Sequence, residues 1–259
     1  MTIITLCTDY GSNDNYVALV KGVILSINQD VNIIDITHNI PKFNTKRAAY
    51  ILDTTLEYYP KGAIHLALIE QEISKSAAVA IETENFTLIG ANNGVFDYLL
   101  RRCPPKSVIE LNNEKYHRTT ETKTFRGRDI FAPTAAWLSK GVPLIELGSK
   151  TEYVPQLKIT TPAIQNDGIH CEIEDIDTFG NIVVSAPLSL VKNFDLEKIK
   201  YVSYSKKKYP CIFVQKYEDK KNVLLLTKGS TDRLEISLFK KSAKKYIDAK
   251  IGEKVVFLV

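Results

Sequence analysis

Apolar residues recur along the first 150 positions in two alternating rhythms. Short runs that are almost wholly apolar or β-branched, at 3–8, 32–36, 63–69, 78–81, 87–89 and 107–111, predict strands. Spacings of three and four over 16–27, 46–58, 95–101 and 129–139 predict helices between them. This alternation predicts an α/β class: a layered N-terminal domain around a mostly parallel sheet, covered on both faces because its strands lack a polar side. Ligands in such sheets bind beyond the carboxyl ends of the strands, so the loops after Thr8, Ile36, Ile69 and Ile89 should share one rim. The pattern breaks between Gly148 and Asp167, where Pro155, Pro162 and the polar run Gln165-Asn166-Asp167, continuing into Gly168, interrupt it. Beyond it come short β-type runs at 170–176, 182–185, 201–205, 211–215, 223–227 and 254–258, the signature of a small antiparallel barrel or sandwich. The expected organisation is an α/β domain over 1–150, a linker over 151–166, and a small C-terminal antiparallel β-barrel-like domain over 167–259.

Composition narrows the class. A hydrophobic content of 44% over 259 residues supports sizeable cores and argues against disorder. No run approaches a membrane span, and Met1 leads straight into a strand-like segment rather than a basic and then apolar leader, so a cytoplasmic protein without membrane contact is expected. Cys7, Cys103, Cys171 and Cys211 are scattered without metal-ligand spacing and read as reduced thiols. The net charge of +4 gathers in lysine pairs such as Lys240-Lys241 and Lys244-Lys245, which alternate with acids and lack interleaved arginine and aromatics. They read as a solvated surface, not a nucleic-acid patch.

The rim loops carry the candidate chemistry. The first, Thr8-Asp9-Tyr10-Gly11 with Asp14 and Tyr16, offers carboxylates and carboxamides where a phosphate cradle would need open backbone amides. Carboxylates repel phosphate but accept hydrogen bonds from sugar hydroxyls or an ammonium group. Asp14 could equally cap the next helix, and a metal on Asp9 and Asp14 would want a third ligand. In the second loop, running from Asp35 to Pro41, His38 fits a loop-locking role better than a catalytic one, and Phe43 could stack on a planar base. Asn92 and Asn93 either hold a ligand or cap a helix. Thr124, Phe125, Arg126, Gly127, Arg128, Asp129 and Phe131 crowd two arginines, a carboxylate and two aromatics around one glycine at a helix mouth. A cation there gains nothing from the helix dipole unless it pairs with a ligand or a carboxylate. Asp177, Phe179, Gly180 and Asn181 form a second cluster of this composition, which is also good hairpin chemistry.

In order and spacing these stretches, together with Lys21-Gly22-Val23-Ile24 and Pro133, resemble the S-adenosyl-L-methionine (SAM) hydroxide adenosyltransferases, the adenosine-forming SAM hydrolases related to fluorinases and chlorinases. The likeness covers nearly the whole chain. It implies an N-terminal α/β and a C-terminal β domain, a homotrimer with active sites between subunits, and cleavage of SAM to adenosine and methionine by attack of water on the ribose 5′ carbon, without metal or organic cofactor. By resemblance Asp9 would accept the ribose hydroxyls, and Phe43 and Phe125 would line the adenosyl pocket. Asp177, Phe179 and Asn181 of a neighbour would hold methionine, and Ser230 would meet the adenine edge. Asp14, Tyr16, Asn93 and Gly127 come with the matching motifs as further substrate-binding candidates.

The chain departs from the family pattern where the chemistry lies. The hydrolases carry Asp-Pro-Gly-Val-Gly after the third strand, then an arginine, and a histidine inside the long motif. Here stand Glu70-Gln71-Glu72-Ile73-Ser74, Ala77 and Arg126. Two readings stay open. Glu70 orients or deprotonates water while Arg126 supplies the charge-assisted hydrogen bond. Alternatively, Arg126 with Glu70 or Glu72 is a structural ion pair in a catalytically silent protein that binds SAM or adenosine as a sensor or scaffold. A metal-dependent hydrolase using Asp9 and Asp14 is a third possibility.

Overall fold

In a computed structural model, residues 1–70, 75–121, 124–217 and 223–259 are described, and the chain divides into two units, Met1–Leu157 and Lys158–Val259. In the first unit β1 (Thr2–Thr8), α1 (Tyr16–Ile27), β2 (Val31–Thr37), α2 (Thr45–Thr55), β3 (Ile64–Leu68), β4 (Ala78–Glu82), β5 (Thr87–Ala91), α3 (Asp97–Arg102) and β6 (Ser107–Glu110) follow in order. A π-helical turn (Gly127–Phe131), α4 (Ala132–Ser139) and β7 (Ser149–Lys150) complete it. The sheet runs β2-β1-β3-β5-β4-β6-β7. Its β2, β1, β3 and β5 are parallel neighbours, whereas β4 runs antiparallel to both β5 and β6. The expected mostly parallel sheet is therefore mixed at one side. Because the four parallel neighbours point one way, the loops that follow them share a rim.

Both faces of this sheet are covered, as the solid apolar strands require. One core gathers Ile4, Leu6, Leu66 and Leu68 with Val20 and Ile24 of α1 and Ala132, Ala135 and Ala136 of α4. The other gathers Cys7, Ala67, Ile69, Val79 and Ile81 with Ala48 and Leu52 of α2 and Phe96 and Leu99. Within the second layer His65 is buried between Tyr59 and Phe86, its Nδ1 2.8 Å from Thr5 Oγ1. Burial pushes its imidazole down to about 3, so the ring is neutral across the working range. Residues 153–157, expected within a linker, are fastened to this unit. Buried Asp97 accepts hydrogen bonds from Tyr153 Oη (2.7 Å) and the N–H groups of Gln156 (2.9 Å) and Leu157 (2.6 Å).

The second unit holds β8 (Ala163–Gln165), β9 (Gly168–Ile176), β10 (Ile182–Pro187), β11 (Tyr201–Tyr204), β12 (Lys207–Phe213), β13 (Leu224–Lys228), β14 (Arg233–Ser237), α5 (Ala243–Ile247) and β15 (Lys254–Leu258). Seven strands, in the order β10-β14-β13-β12-β11-β15-β9, close into a barrel through the β9–β10 pairing, with β8 added beside β9. Every pairing is antiparallel except β12 with β13, which is parallel. Its centre is filled by Ile169, Ile173, Ile182, Val184, Leu224, Leu226, Ile236 and Phe257. Arg233 pairs with buried Glu174 inside this unit, a charge pair that alternation alone does not reveal. No helix among the described residues is long and apolar enough to cross a membrane.

Candidate active site

A cavity of about 440 Å³ opens on the rim of the first unit, lined by Asp9, Tyr10, Asp14, Tyr16, Lys42, Phe43, Glu70, Thr124, Phe125 and Arg126. It unites residues from the loops after β1, β2 and β3 with the approach to α4. Parallel neighbouring strands deliver those loops to one edge, which is why positions so distant in sequence meet.

Glu70 and Arg126 form an ion pair within this cavity, with side chains only 11% and 12% exposed. Arg126 also donates to the carbonyl of Ser76 at 2.7 Å, and its guanidinium lies 5.3 Å from the centre of the Phe131 ring. Burial pushes the Glu70 carboxyl above the ordinary carboxylate range. The neighbouring Arg126 pulls it down and Asp9 pushes it further up. The result is a carboxylate more basic than usual, fixed in direction by a guanidinium. Glu72, the other acid considered for this pair, lies outside the described residues.

The reach of Arg126 depends on how the chain enters α4. Ala132 N–H bonds back five residues to Gly127 O, so the first turn is wound as a π-helix, a local form common at functional sites. Arg128 turns the other way and grips buried Asp129, with Nε and Nη2 donating to its two carboxylate oxygens at 2.7 and 2.8 Å. The two arginines thus have separate duties, and both are engaged with carboxylates. Gly127 lies beside them because a Cβ there would strike the Tyr10 hydroxyl and press to 2.9 Å on the Phe125 ring. It serves the pocket from behind its wall.

Asp9 is buried, and one of its oxygens, Oδ2, accepts the Phe43 N–H at 2.8 Å. Burial raises its carboxyl against the pull of that N–H and of Lys42. Phe43 itself adopts a left-handed backbone (φ 64°), which costs free energy for an aromatic residue, and the residue is 52% exposed at the cavity. The Asp9 contact holds this unfavourable turn, and Asn44 then caps α2 by accepting Arg47 N–H at 2.9 Å. Asp14 does not cap α1: Asn15 stands at that position and makes no side-chain cap, leaving Asp14 facing the cavity. Tyr16 and Phe125 meet edge to face at 5.2 Å. His38 locks the neighbouring loops, its carbonyl accepting Gly11 N–H at 2.8 Å and its Nδ1 lying 3.1 Å from Thr8 Oγ1.

Asn93 does not line the cavity. Its amide donates to Ile69 O at 2.8 Å and its oxygen accepts Val95 N–H at 3.2 Å, so it fastens the strand end from which Glu70 projects. Tyr10, Lys42 and Thr124 are lining residues that the sequence does not single out as site candidates. Tyr10 stood inside a recognised motif, and Lys42 stood beside Phe43. Among the described residues no group of three or more His, Cys, Asp and Glu side chains is placed to hold a metal ion.

A second cavity, of about 670 Å³, lies on the barrel unit and contains Asp177, Phe179, Asn181 and Ser230 together with Tyr217, Glu235 and Ser237. The turn from Asp177 to Asn181 joins β9 to β10, so the hairpin and ligand-shaped readings describe the same residues. Asp177 accepts the Asn181 N–H at 2.8 Å and its side-chain amide at 2.9 Å, and Gly180 takes the left-handed φ of 85° the turn demands. Phe179 stands 80% exposed. Tyr217 Oη donates to Glu235 at 2.5 Å; burial raises the Glu235 carboxyl, Tyr217 lowers it and nearby Asp177 adds to the rise. Glu235 is a buried acid on β14, a strand the apolar pattern did not reveal.

Residues 4–148 match the SAM hydroxide adenosyltransferase N-terminal domain, and residues 171–256 match the C-terminal domain of the same family. An (R)-S-adenosyl-L-methionine hydrolase of Methanocaldococcus jannaschii is 33% identical over 258 residues, covering 96% of this chain and 92% of that one. A fluorinase of Actinopolyspora mzabensis is 25% identical over 71% of both chains. The crystal structure of an uncharacterized conserved protein from Thermotoga maritima superposes over the full length of both chains with a TM-score of 0.92 at 27% identity. With both domain models matched in order over nearly all of its length, the chain belongs to the SAM hydroxide adenosyltransferase family.

Proposed function

We propose that the protein hydrolyses SAM to adenosine and methionine, with Glu70 as the general base and Arg126 as its positioning partner. The observation that carries this reading is the buried Glu70–Arg126 pair: a carboxylate made more basic by burial and held in one orientation inside the rim cavity. In the reaction a water oxygen forms a bond to the ribose 5′ carbon as the carbon–sulfur bond breaks. The bonding pair returns to sulfur, giving the neutral thioether of methionine, and the water proton passes to Glu70. Arg126 remains protonated throughout and keeps the carboxylate aimed.

The charge of the cavity supports a sulfonium ligand. Among the described residues that line it, Asp9, Asp14 and Glu70 face Lys42 and Arg126, an excess of negative charge suited to a cation and hostile to phosphate. Phe43 and Phe125 offer aromatic faces to the adenosyl group, and the Asp9 oxygen not bound by Phe43 N–H can accept ribose hydroxyls. The remaining roles belong to the same proposal: Asp177, Phe179 and Asn181 of a neighbouring copy in a cytoplasmic homotrimer on methionine, and Ser230 on the adenine edge.

A second reading is favoured by the same pair. An arginine already closed on Glu70 also suits a protein that binds SAM or adenosine without cleaving it. Purified protein incubated with SAM should release adenosine above the rate of spontaneous decay, followed by chromatography, and should be indifferent to chelator. Tight adenosyl binding by calorimetry with no release would favour the silent binder, whereas chelator-sensitive release would favour a metal on Asp9 and Asp14.

A further inference from the structure

Tyr10 lines the cavity with a hydroxyl that serves no contact of the fold. Its ring is held from two sides, 5.7 Å from Tyr16 at 52° and 5.6 Å from Phe125 at 72°, so the direction of the hydroxyl is set by packing. That hydroxyl points to the wall beside Arg126, close enough to Gly127 that no Cβ fits there. Among the described residues the Tyr10 hydroxyl has no hydrogen-bond partner and is not sealed from the cavity. The packing alone would be served equally by phenylalanine. A polar group withdrawn from bulk water without a partner opposes folding, so its presence here calls for a partner that arrives with the ligand.

Its electrical surroundings locate that partner. Apart from desolvation, the charges acting most strongly on the phenol are Glu70, then Asp9, then Arg126. Burial and the two carboxylates push its ionisation far up, so the group stays a neutral hydroxyl wherever the protein is folded. The residues that would hold the reacting water and the ribose line the same cavity as this oxygen.

We infer that the Tyr10 hydroxyl binds the oxygen that attacks the ribose, first as water and afterwards as the 5′-hydroxyl of adenosine. Glu70 accepts one water proton and takes it as the carbon–oxygen bond forms and the carbon–sulfur pair leaves with methionine. Tyr10 accepts a hydrogen bond from the other proton, which stays on the product as its 5′ O–H. With both O–H directions fixed, a lone pair of the water faces the 5′ carbon. Tyr10 gains and loses no proton. In a chain with Arg126 at the family's histidine position, this assigns a second anchor for the water to a side chain three residues beyond Cys7. The inference rests on the proposed hydrolysis, but its test does not need turnover.

Calorimetric affinities for adenosine and 5′-deoxyadenosine, which differ only by the oxygen in question, should be measured on the wild-type protein and on Tyr10→Phe. The wild type should bind adenosine more tightly, and Tyr10→Phe should reduce that preference about fivefold, the fold-change expected for one neutral hydrogen bond. The 5′-deoxyadenosine affinity should be unchanged in Tyr10→Phe, which also certifies that the pocket survives the substitution. A wild type that binds the two nucleosides equally, or a Tyr10→Phe variant that keeps the wild-type preference, overturns the assignment. Release of adenosine from SAM by the wild type is read separately, so failure of hydrolysis and failure of the Tyr10 contact are distinct results.

Discussion

Glu70→Gln separates charge from shape at the centre of the proposed site. The glutamine oxygen can still accept from Arg126, which is also tied to Ser76 O at 2.7 Å and lies over Phe131, so the guanidinium stays in place. What disappears is a group able to take a proton. General-base catalysis contributes about 10²–10⁴ in rate, or roughly 3–5 kcal/mol of barrier. Stability should move far less. Replacing a charge-assisted hydrogen bond by a neutral one loses about 1 kcal/mol, and the loss is offset by removing the desolvation that raises the Glu70 carboxyl. The sign with pH is definite. A folded-state pKa above the unfolded value contributes stability fully present below the unfolded pKa and lost as pH rises through the folded one, so the substitution removes that slope. The rate runs oppositely: in the wild type it should climb with pH as Glu70 ionises, with an inflection above the ordinary carboxylate range. Initial rates of adenosine release between acid and neutral pH, with thermal melts on the same samples, read both effects. A Glu70→Gln protein with wild-type kcat, or one that keeps the acid limb of the profile, refutes the assignment of the base.

Other substitutions probe the supports of the site. Gly127→Ala should destabilise the protein by about 1–3 kcal/mol in chemical denaturation and weaken adenosine binding, because the new methyl displaces the Tyr10 hydroxyl and the Phe125 ring. Asp97→Ala removes the acceptor of three hydrogen bonds, leaving Tyr153 and two backbone N–H groups unpaired, and should cost about 2–4 kcal/mol by the same assay. His65 is neutral when folded, with a pKa lowered from 6.5 to about 3. The unfolded chain therefore takes up a proton first as pH falls below 6.5, and stability should drop by on the order of 4 kcal/mol by the time pH nears 3. His65→Gln should remove that component from acid-denaturation curves, and an unchanged acid slope would contradict it.

The sequence reveals the frame of this protein because its parallel strands are solid apolar runs and its helices keep a clear period. The apolar spacing over residues 16–27 marks α1 to the residue, and the shared rim follows from strand direction alone. What stayed hidden has a common cause in side chains that serve two masters. β14 carries Arg233, whose charge is paired with buried Glu174, and buried Glu235, which accepts the Tyr217 hydroxyl, so its polar letters concealed a strand. The mixed edge of the first sheet was equally invisible, since β4 is as apolar as the parallel strands of the sheet although it runs antiparallel to both its neighbours. At the site, Asp9, Phe43, Glu70 and Arg126 were legible as ligand chemistry because their types are poor choices for a plain loop. Asn93 was legible only as polar: whether a carboxamide meets a ligand or its own backbone depends on which way the loop turns. Tyr10 was masked by its aromatic ring, which reads as core.

The π-helical turn before α4 has a bearing on how such a pocket can change over evolutionary time. Each residue of a helix advances the chain by about 100°. A turn closed by Ala132 N–H on Gly127 O holds one residue more than an α-helical turn, so everything N-terminal to it is rotated by about that angle relative to the α4 axis. Deleting one residue there would leave α4 packed as before while swinging Arg126 away from Glu70 and bringing a neighbour round in its place. The turn therefore acts as an indexing joint. By a single insertion or deletion, a lineage could choose which side chain faces the reacting carboxylate without disturbing the core that carries it.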